Sequence, residues 1–211
     1  MRKIITAGSK ADFSRIVPCF TPGSRIATPK GERLAETITV GDRILTRDHG
    51  IQTVSWAGHR SLAADELKAA PELRPVLISA GSLGADQPER DMLVSPHHRM
   101  LLVSDVAREH FGESEVLVAA KDMTKMPGVK TVNVPSINYL QFLFDRHEVI
   151  LADGTWTESF HPNDYSLKGV VPEQREELFK ICPALATEGG RTAFGTARKA
   201  LRKVESIFAI K

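Results

Sequence analysis

Residues 19–48 read CFTPGSRIATPKGERLAETITVGDRILTRD. Short apolar runs around Ile26, Ile38 and Ile44-Leu45 are cut by Pro22-Gly23, by Pro29 to Gly31 and, just past the segment, by Asp48 to Gly50. Short runs between such breakers predict strands joined by tight turns. The same texture continues outward to about residue 157. Its candidate strands are SRIAT, ETITVGDRILT, IQTVSWAG, PVLISAG, DMLVSP, RMLLVS, VLVAA, KTVNV, INYLQFLFDRHEVILA and TWTES. The expected fold class is therefore all-β. Asp153-Gly154 suits a tight hairpin, because both residues tolerate positive φ.

After FHPND (160–164) the character changes. PEQREELFKICPAL opens with a proline suited to the first helical position. Phe194, Ala197, Leu201, Val204 and Phe208 then recur at helical spacing, so two helices are expected to close the chain. This divides the chain into an N-terminal flank (1–18), a β domain (19–160) and a small C-terminal helical extension (161–211). The extension packs one face on the β core or, alternatively, holds a protein partner. No repeat at the period of a solenoid is present.

The 211 residues, 42% of them hydrophobic, suffice for one good core. The 28 basic and 26 acidic residues, net +2, are spread without blocks, which argues against a nucleic-acid partner. MRKIITAGSKADFSRIVPC offers too short and polar a stretch for a signal-peptide core, and no run is long enough for a membrane helix. The expected location is cytoplasmic, with no membrane partner. The two cysteines, Cys19 and Cys182, stand far apart, without zinc or redox spacing, and are expected to be free thiols.

In DMLVSPHHRMLLV (91–103), two apolar runs are interrupted by Ser95, Pro96, His97 and His98, which fit a type I turn. Such a turn brings Ser95 and His98 to one side, where a hydroxyl can orient an imidazole that moves protons near neutral pH. The alternative is a polar loop with its hydrogen bonds satisfied, His97 pointing outward. Asp145, Arg146, His147 and Glu148 break another apolar segment. They mark either a kink with its charges in solvent or a site where Asp145 or His147 faces a reacting group. Cys19 is either a nucleophile, only a few per cent thiolate at pH 7 without help, or a small buried hydrophobe; Cys182 is expected to be the latter.

Taken in order, these pieces resemble the Hint domain shared by hedgehog proteins and inteins, most of all the short bacterial Hint-domain proteins. The likeness runs from Cys19 to about Ser159. Its first block is the opening segment, with leading cysteine, hairpin at PKG and VGDRIL; its second is SPHH, with Ser95 on the family's threonine and His98 on its histidine; its third is DRHEVILADG, with His147 on the histidine. The resemblance implies a compact β fold with pseudo-twofold symmetry. It also implies that Cys19 attacks the carbonyl of Pro18 in an N-to-S acyl shift. His98 is then the general acid, Ser95 orients the scissile amide or the ring, and His147 with Asp145 supports them. The substrate is the chain's own N-terminal flank, the product thioester is open to water, a thiol or another nucleophile, and no cofactor is implied.

Three departures limit the likeness. Thr157, Glu158 and Ser159 stand where an intein ends in His-Asn, so full splicing is not expected. His59 stands about where hedgehog proteins place an aspartate, so no lipid acceptor is implied. Pro18 as acyl donor has a ring that fixes φ and crowds the carbonyl, which predicts a slow shift. The alternative is a Hint fold without autoprocessing, acting as a structural or interaction domain. Metal binding by His97, His98, His147 and His161 is disfavoured, since no Cys or carboxylate spacing supports it.

Overall fold

The computed structural model describes residues 17–203, 205 and 206. Of the N-terminal flank it covers Val17 and Pro18; Val204 and Phe208 lie outside it. The largest sheet has seven strands in the order Lys199–Ala200, Glu115–Ala119, Arg99–Val103, Thr155–Glu158, Val149–Ala152, Arg25–Thr28 and Gly31–Leu34. Its pairings are antiparallel except that of Lys199–Ala200 with Glu115–Ala119. A second group pairs Val129–Thr131, Val76–Ile78 and Met92–Val94, and a third pairs Ile137–Leu143 with Trp56–Leu62. Phe20 bridges both groups through Val94 and Leu140, so the chain just after Cys19 is threaded between them.

The turns form where the local chemistry asks for them. Asp153 and Gly154 have φ of 50° and 74°, the paired positive values that a two-residue hairpin needs. Arg25–Thr28 turns back through Pro29-Lys30 onto Gly31–Leu34. In Trp56–Leu62, Trp56 and Gly58 share the buried face, and the indole lies across the glycine. A Cβ on Gly58 would come within 2.1 Å of the Trp56 ring. Gly58→Ala is expected to cost about 1–3 kcal/mol through overpacking. Urea denaturation would check this, and an unchanged midpoint would refute it.

Three main apolar clusters fill the β core. One gathers Phe20, Ile26, Ile44, Phe142 and Ile150, and a second Val76, Ile78, Met92, Met100 and Val118. The third contains Val17, Cys19, Trp56, Tyr139 and Phe160, and into it the C-terminal helices insert Leu167, Val170, Leu178 and Leu185. The extension thus packs on the β core, around the first residues of the domain.

Two regions differ from expectation. The strand-rich region also holds short helices at Ala64–Ala69 and Asp105–Phe111, the latter capped by Ser104, whose Oγ accepts from the Ala107 amide. The C-terminal region has α-helices at Asp164–Gly169, Pro172–Ile181 and Glu188–Phe194, Lys203, Glu205 and Ser206 are also helical, and the helix expected across Phe194 to Leu201 is absent. Gly195, at φ 64°, ends the last of them, and Lys199–Ala200 joins the large sheet. Ala197 and Leu201 are apolar because each packs on a different cluster, with no helix between them.

Candidate functional site

The turn 95–98 closes as a type I geometry requires, with the His98 amide donating to the Ser95 carbonyl at 3.0 Å. Backbone bonds then tie the Cys19 segment to its neighbours. The Ser95 amide donates to the Cys19 carbonyl at 3.0 Å, and Phe20 and Leu140 exchange amide–carbonyl bonds of 2.9 Å each. Between these ties sits the Ser95 hydroxyl, fully buried. It accepts from the Cys19 amide at 2.9 Å and donates to the Val17 carbonyl at 2.7 Å. One hydroxyl therefore grips the backbone on both sides of Pro18. Of the two partners open to Ser95, the scissile amide and the His98 ring, it is the amide that the hydroxyl bonds.

Cys19 is 2% exposed, and the Gln141 Nε2–H donates to its Sγ at 3.3 Å. Burial pushes the thiol up to about 12, against opposing pulls from the Gln141 bond, the Arg60 charge and Ser95. A thiol held this strongly protonated needs a base before it can attack.

His98, buried at the end of the turn, has the Phe20 ring edge-on at 4.6 Å. Its Nε2 is hydrogen-bonded to Thr157 Oγ1, and the Thr157 hydroxyl donates its proton to the Arg99 carbonyl at 2.9 Å. Thr157 must then accept from His98, so Nε2 carries the ring proton and Nδ1 is a bare lone pair. That Nδ1 is buried without a partner. Burial also lowers the ring to about 4, which makes it neutral at pH 7. The resemblance assigns His98 the role of acid; its protonation here suits it to receive a proton first.

Behind Thr157 lies Glu158, fully buried, accepting from the Arg99 amide at 2.8 Å and from Arg99 Nη1 at 3.0 Å. Burial works against its charge, but Arg99 and His147 prevail and hold the carboxyl below its usual range. His147 is buried with Nε2 3.5 Å from Glu158 Oε2, its Nδ1 accepting from the Ala197 amide at 3.1 Å and its ring 4.7 Å from that of His161. Asp145 and Arg146 are exposed, whereas His147 and Glu148 are buried, so the charged break turns half outward and half inward. Asp145 lines an open groove with His49, Arg146 and Arg198, away from the contacts of Cys19. His97, expected to point outward, is half-buried, with Nε2 3.2 Å from Lys121 Nζ and its ring 5.5 Å from Tyr165.

Residues 18–164 match the family model described as the Hint domain. The chain belongs to the Hint domain family. Among solved structures, this Hint domain is similar to a bacterial intein-like domain from Clostridium thermocellum, at 14% identity over 68% of this chain and 99% of that one, with a TM-score of 0.45. It is also similar to the MchDnaB-1 intein, at 12% identity over 66% and 98% with a TM-score of 0.40, and to a DnaB intein from Synechocystis, at 9% over 67% and 98% with a TM-score of 0.38. No curated protein matches the chain.

Within this Hint domain the first two blocks meet directly, through the Ser95 hydroxyl at Cys19. Four residues of the site went unnoticed as such in the sequence: Gln141, Thr157, Glu158 and Arg99. Gln141 had a visible signal, a lone amide inside the apolar run YLQFLF. Its Oε1 is buried without a partner, a condition that costs about 1–3 kcal/mol. Cys19 and Cys182 are free thiols, and Cys182 packs against the cluster that holds Cys19. Among the described residues no three His, Cys, Asp or Glu side chains converge as a metal site, and no helix is long and apolar enough to cross a membrane.

Proposed function

We propose that this Hint domain processes its own N-terminal flank by an N-to-S acyl shift at Cys19, without full splicing. The observation that carries the reading is the Ser95 hydroxyl, bonded to the amide nitrogen that must leave and to the carbonyl of Val17 just before the acyl residue. His98, neutral and with Nδ1 unpartnered, takes the thiol proton. The sulfur adds to the Pro18 carbonyl carbon, and the carbonyl π pair moves onto oxygen. When that pair returns, the C–N bond breaks and the nitrogen of Cys19 receives the proton, delivered through Ser95. A Pro18 thioester and a free amine result, with no net change in protons. Water or a thiol then releases residues 1–18.

General acid–base assistance of this kind is worth roughly 10² to 10⁴ in rate. Incubating the full chain with dithiothreitol or hydroxylamine and recording intact mass is expected to give a species beginning at Cys19. Cys19→Ala is expected to remain whole under the same treatment. Identical behaviour of the two proteins rules the reading out.

The burial of Cys19 in one cluster with Leu167, Leu178 and Leu185 favours a second reading. In it the Hint fold has no processing activity and serves as a structural or interaction domain. The native chain then stays intact with thiol, and Cys19→Ala alters melting more than mass.

A further inference from the structure

Gln141 lies in the strand Ile137–Leu143, opposite Gly58, with Leu140, Phe142 and Leu143 around it in sequence, all buried and apolar. The residue is 3% exposed. Its Nε2 donates to Cys19 Sγ at 3.3 Å, and its Oε1 is left without a partner. Packing does not account for such a side chain, since a leucine of similar size would fill the strand without burying an unmatched oxygen. What the amide does have is contact with the sulfur.

We propose that Gln141 is a further catalytic residue of the acyl shift, its Nε2–H stabilising the Cys19 sulfur while that atom carries negative charge. The inference rests on the proposed processing reaction. When the thiol proton moves to His98, the sulfur becomes an anion in a dry site. A hydrogen-bond donor fixed on it before the reaction is worth far more there than in water. Gln141 neither gains nor loses a proton. Its bond to sulfur strengthens as the S–H bond breaks and relaxes once the S–C bond of the thioester has formed. Arg60, by charge, and Ser95 act in the same direction and Glu158 in the opposite one, and the Gln141 bond is the largest of the pulls that oppose burial.

The test compares the native chain with Gln141→Leu, both carrying Cys182→Ser so that one thiol remains. Three quantities are read: the rate of appearance of the species beginning at Cys19, the thermal midpoint, and the pH at which Cys19 alkylation by iodoacetamide reaches half its maximal rate. Gln141→Leu is expected to cleave about 10- to 100-fold more slowly, to melt no lower than the native chain, and to shift the alkylation midpoint upward. Arg60, Glu158 and Tyr139, the other ionisable groups whose fields couple to Cys19, are the same in both proteins. Cleavage at the native rate, a rate loss that merely follows a lower melting point, or an unmoved alkylation midpoint each overturns the assignment while leaving the acyl shift standing. A native chain that never cleaves overturns the acyl shift and the catalytic role with it. The alkylation midpoint then decides separately whether Gln141 stabilises the sulfur.

Discussion

Ser95→Ala is expected to lower the stability of the folded chain by about 2–6 kcal/mol and to slow release of the flank at least 100-fold. The stability loss follows from what the hydroxyl leaves behind. The Cys19 amide and the Val17 carbonyl are both bonded to Ser95 in buried surroundings. Removing the single atom that satisfies them strands one donor and one acceptor, each at a cost of about 1–3 kcal/mol. The rate loss follows from position, because the hydroxyl touches the nitrogen that must accept a proton to leave. Ser95→Thr keeps the oxygen, and is expected to retain much of both properties where alanine does not. Urea denaturation and mass-monitored cleavage of the three proteins would decide. An alanine variant within 0.5 kcal/mol of native, cleaving at a similar rate, would show that the hydroxyl holds neither the fold nor the leaving group.

The readable parts of this chain are those whose cause is local. Asp153-Gly154 turns because those two residues accept positive φ, and Ser95 to His98 turns because serine and proline suit its first two positions. Cys19 and Ser95 could be paired only through the resemblance, since nothing near Cys19 in sequence announces a hydroxyl 76 residues downstream. Gln141 was visible as an anomaly but not as a site residue, for its meaning depends on a sulfur 122 positions away. Thr157 and Glu158 were legible as departures from the intein pattern. Their own work could not be read there: Thr157 fixes the proton on the His98 ring, and Glu158 holds Arg99 and faces His147. The helix at Asp105–Phe111 is too short for periodicity to speak, although Ser104 and Gly112 are suitable end signals. At the C-terminus the apolar spacing misled, because Ala197 and Leu201 serve two clusters on a chain that Gly195 has already turned out of its helix.

Burial of the site works in two directions. Cys19, Ser95 and His98 are all shielded from water, and Cys19 shares its apolar cluster with Val17, Phe160 and the helical residues Leu167, Leu178 and Leu185. A dry site strengthens each fixed hydrogen bond to a developing charge, yet it also resists creating that charge in the first place. The groups that offset this resistance are neutral or distant: the Gln141 amide, the Ser95 hydroxyl and the field of Arg60. Together with a proline as the proposed acyl donor, this arrangement fits a slow, single event better than rapid turnover.

Acid is expected to unfold this protein well before its exposed carboxylates are protonated. Burial lowers His97, His98 and His161 from an ordinary value of 6.5 to about 4, with Lys121 adding to the effect at His97 and His147 at His161. A depressed histidine means that the unfolded chain binds the proton more readily than the native one. The stabilisation is complete above about pH 6.5 and is lost progressively as the pH falls toward 4. For His98 alone, fully buried, the loss comes to about 3 kcal/mol across that window. Glu158, held low chiefly by Arg99 against its burial, loses its contribution in the same direction as it protonates. Asp153, raised by burial, gives a smaller change of opposite sign. Urea midpoints measured at pH 7, 6 and 5 are expected to fall steeply. His98→Gln, which keeps a donor for Thr157 but cannot titrate, is expected to make that fall shallower by up to about 1.4 kcal/mol per pH unit. A midpoint that stays level from pH 7 to 5, or a slope unchanged in His98→Gln, would mean that the ring is not the buried neutral base on which the proposed chemistry depends.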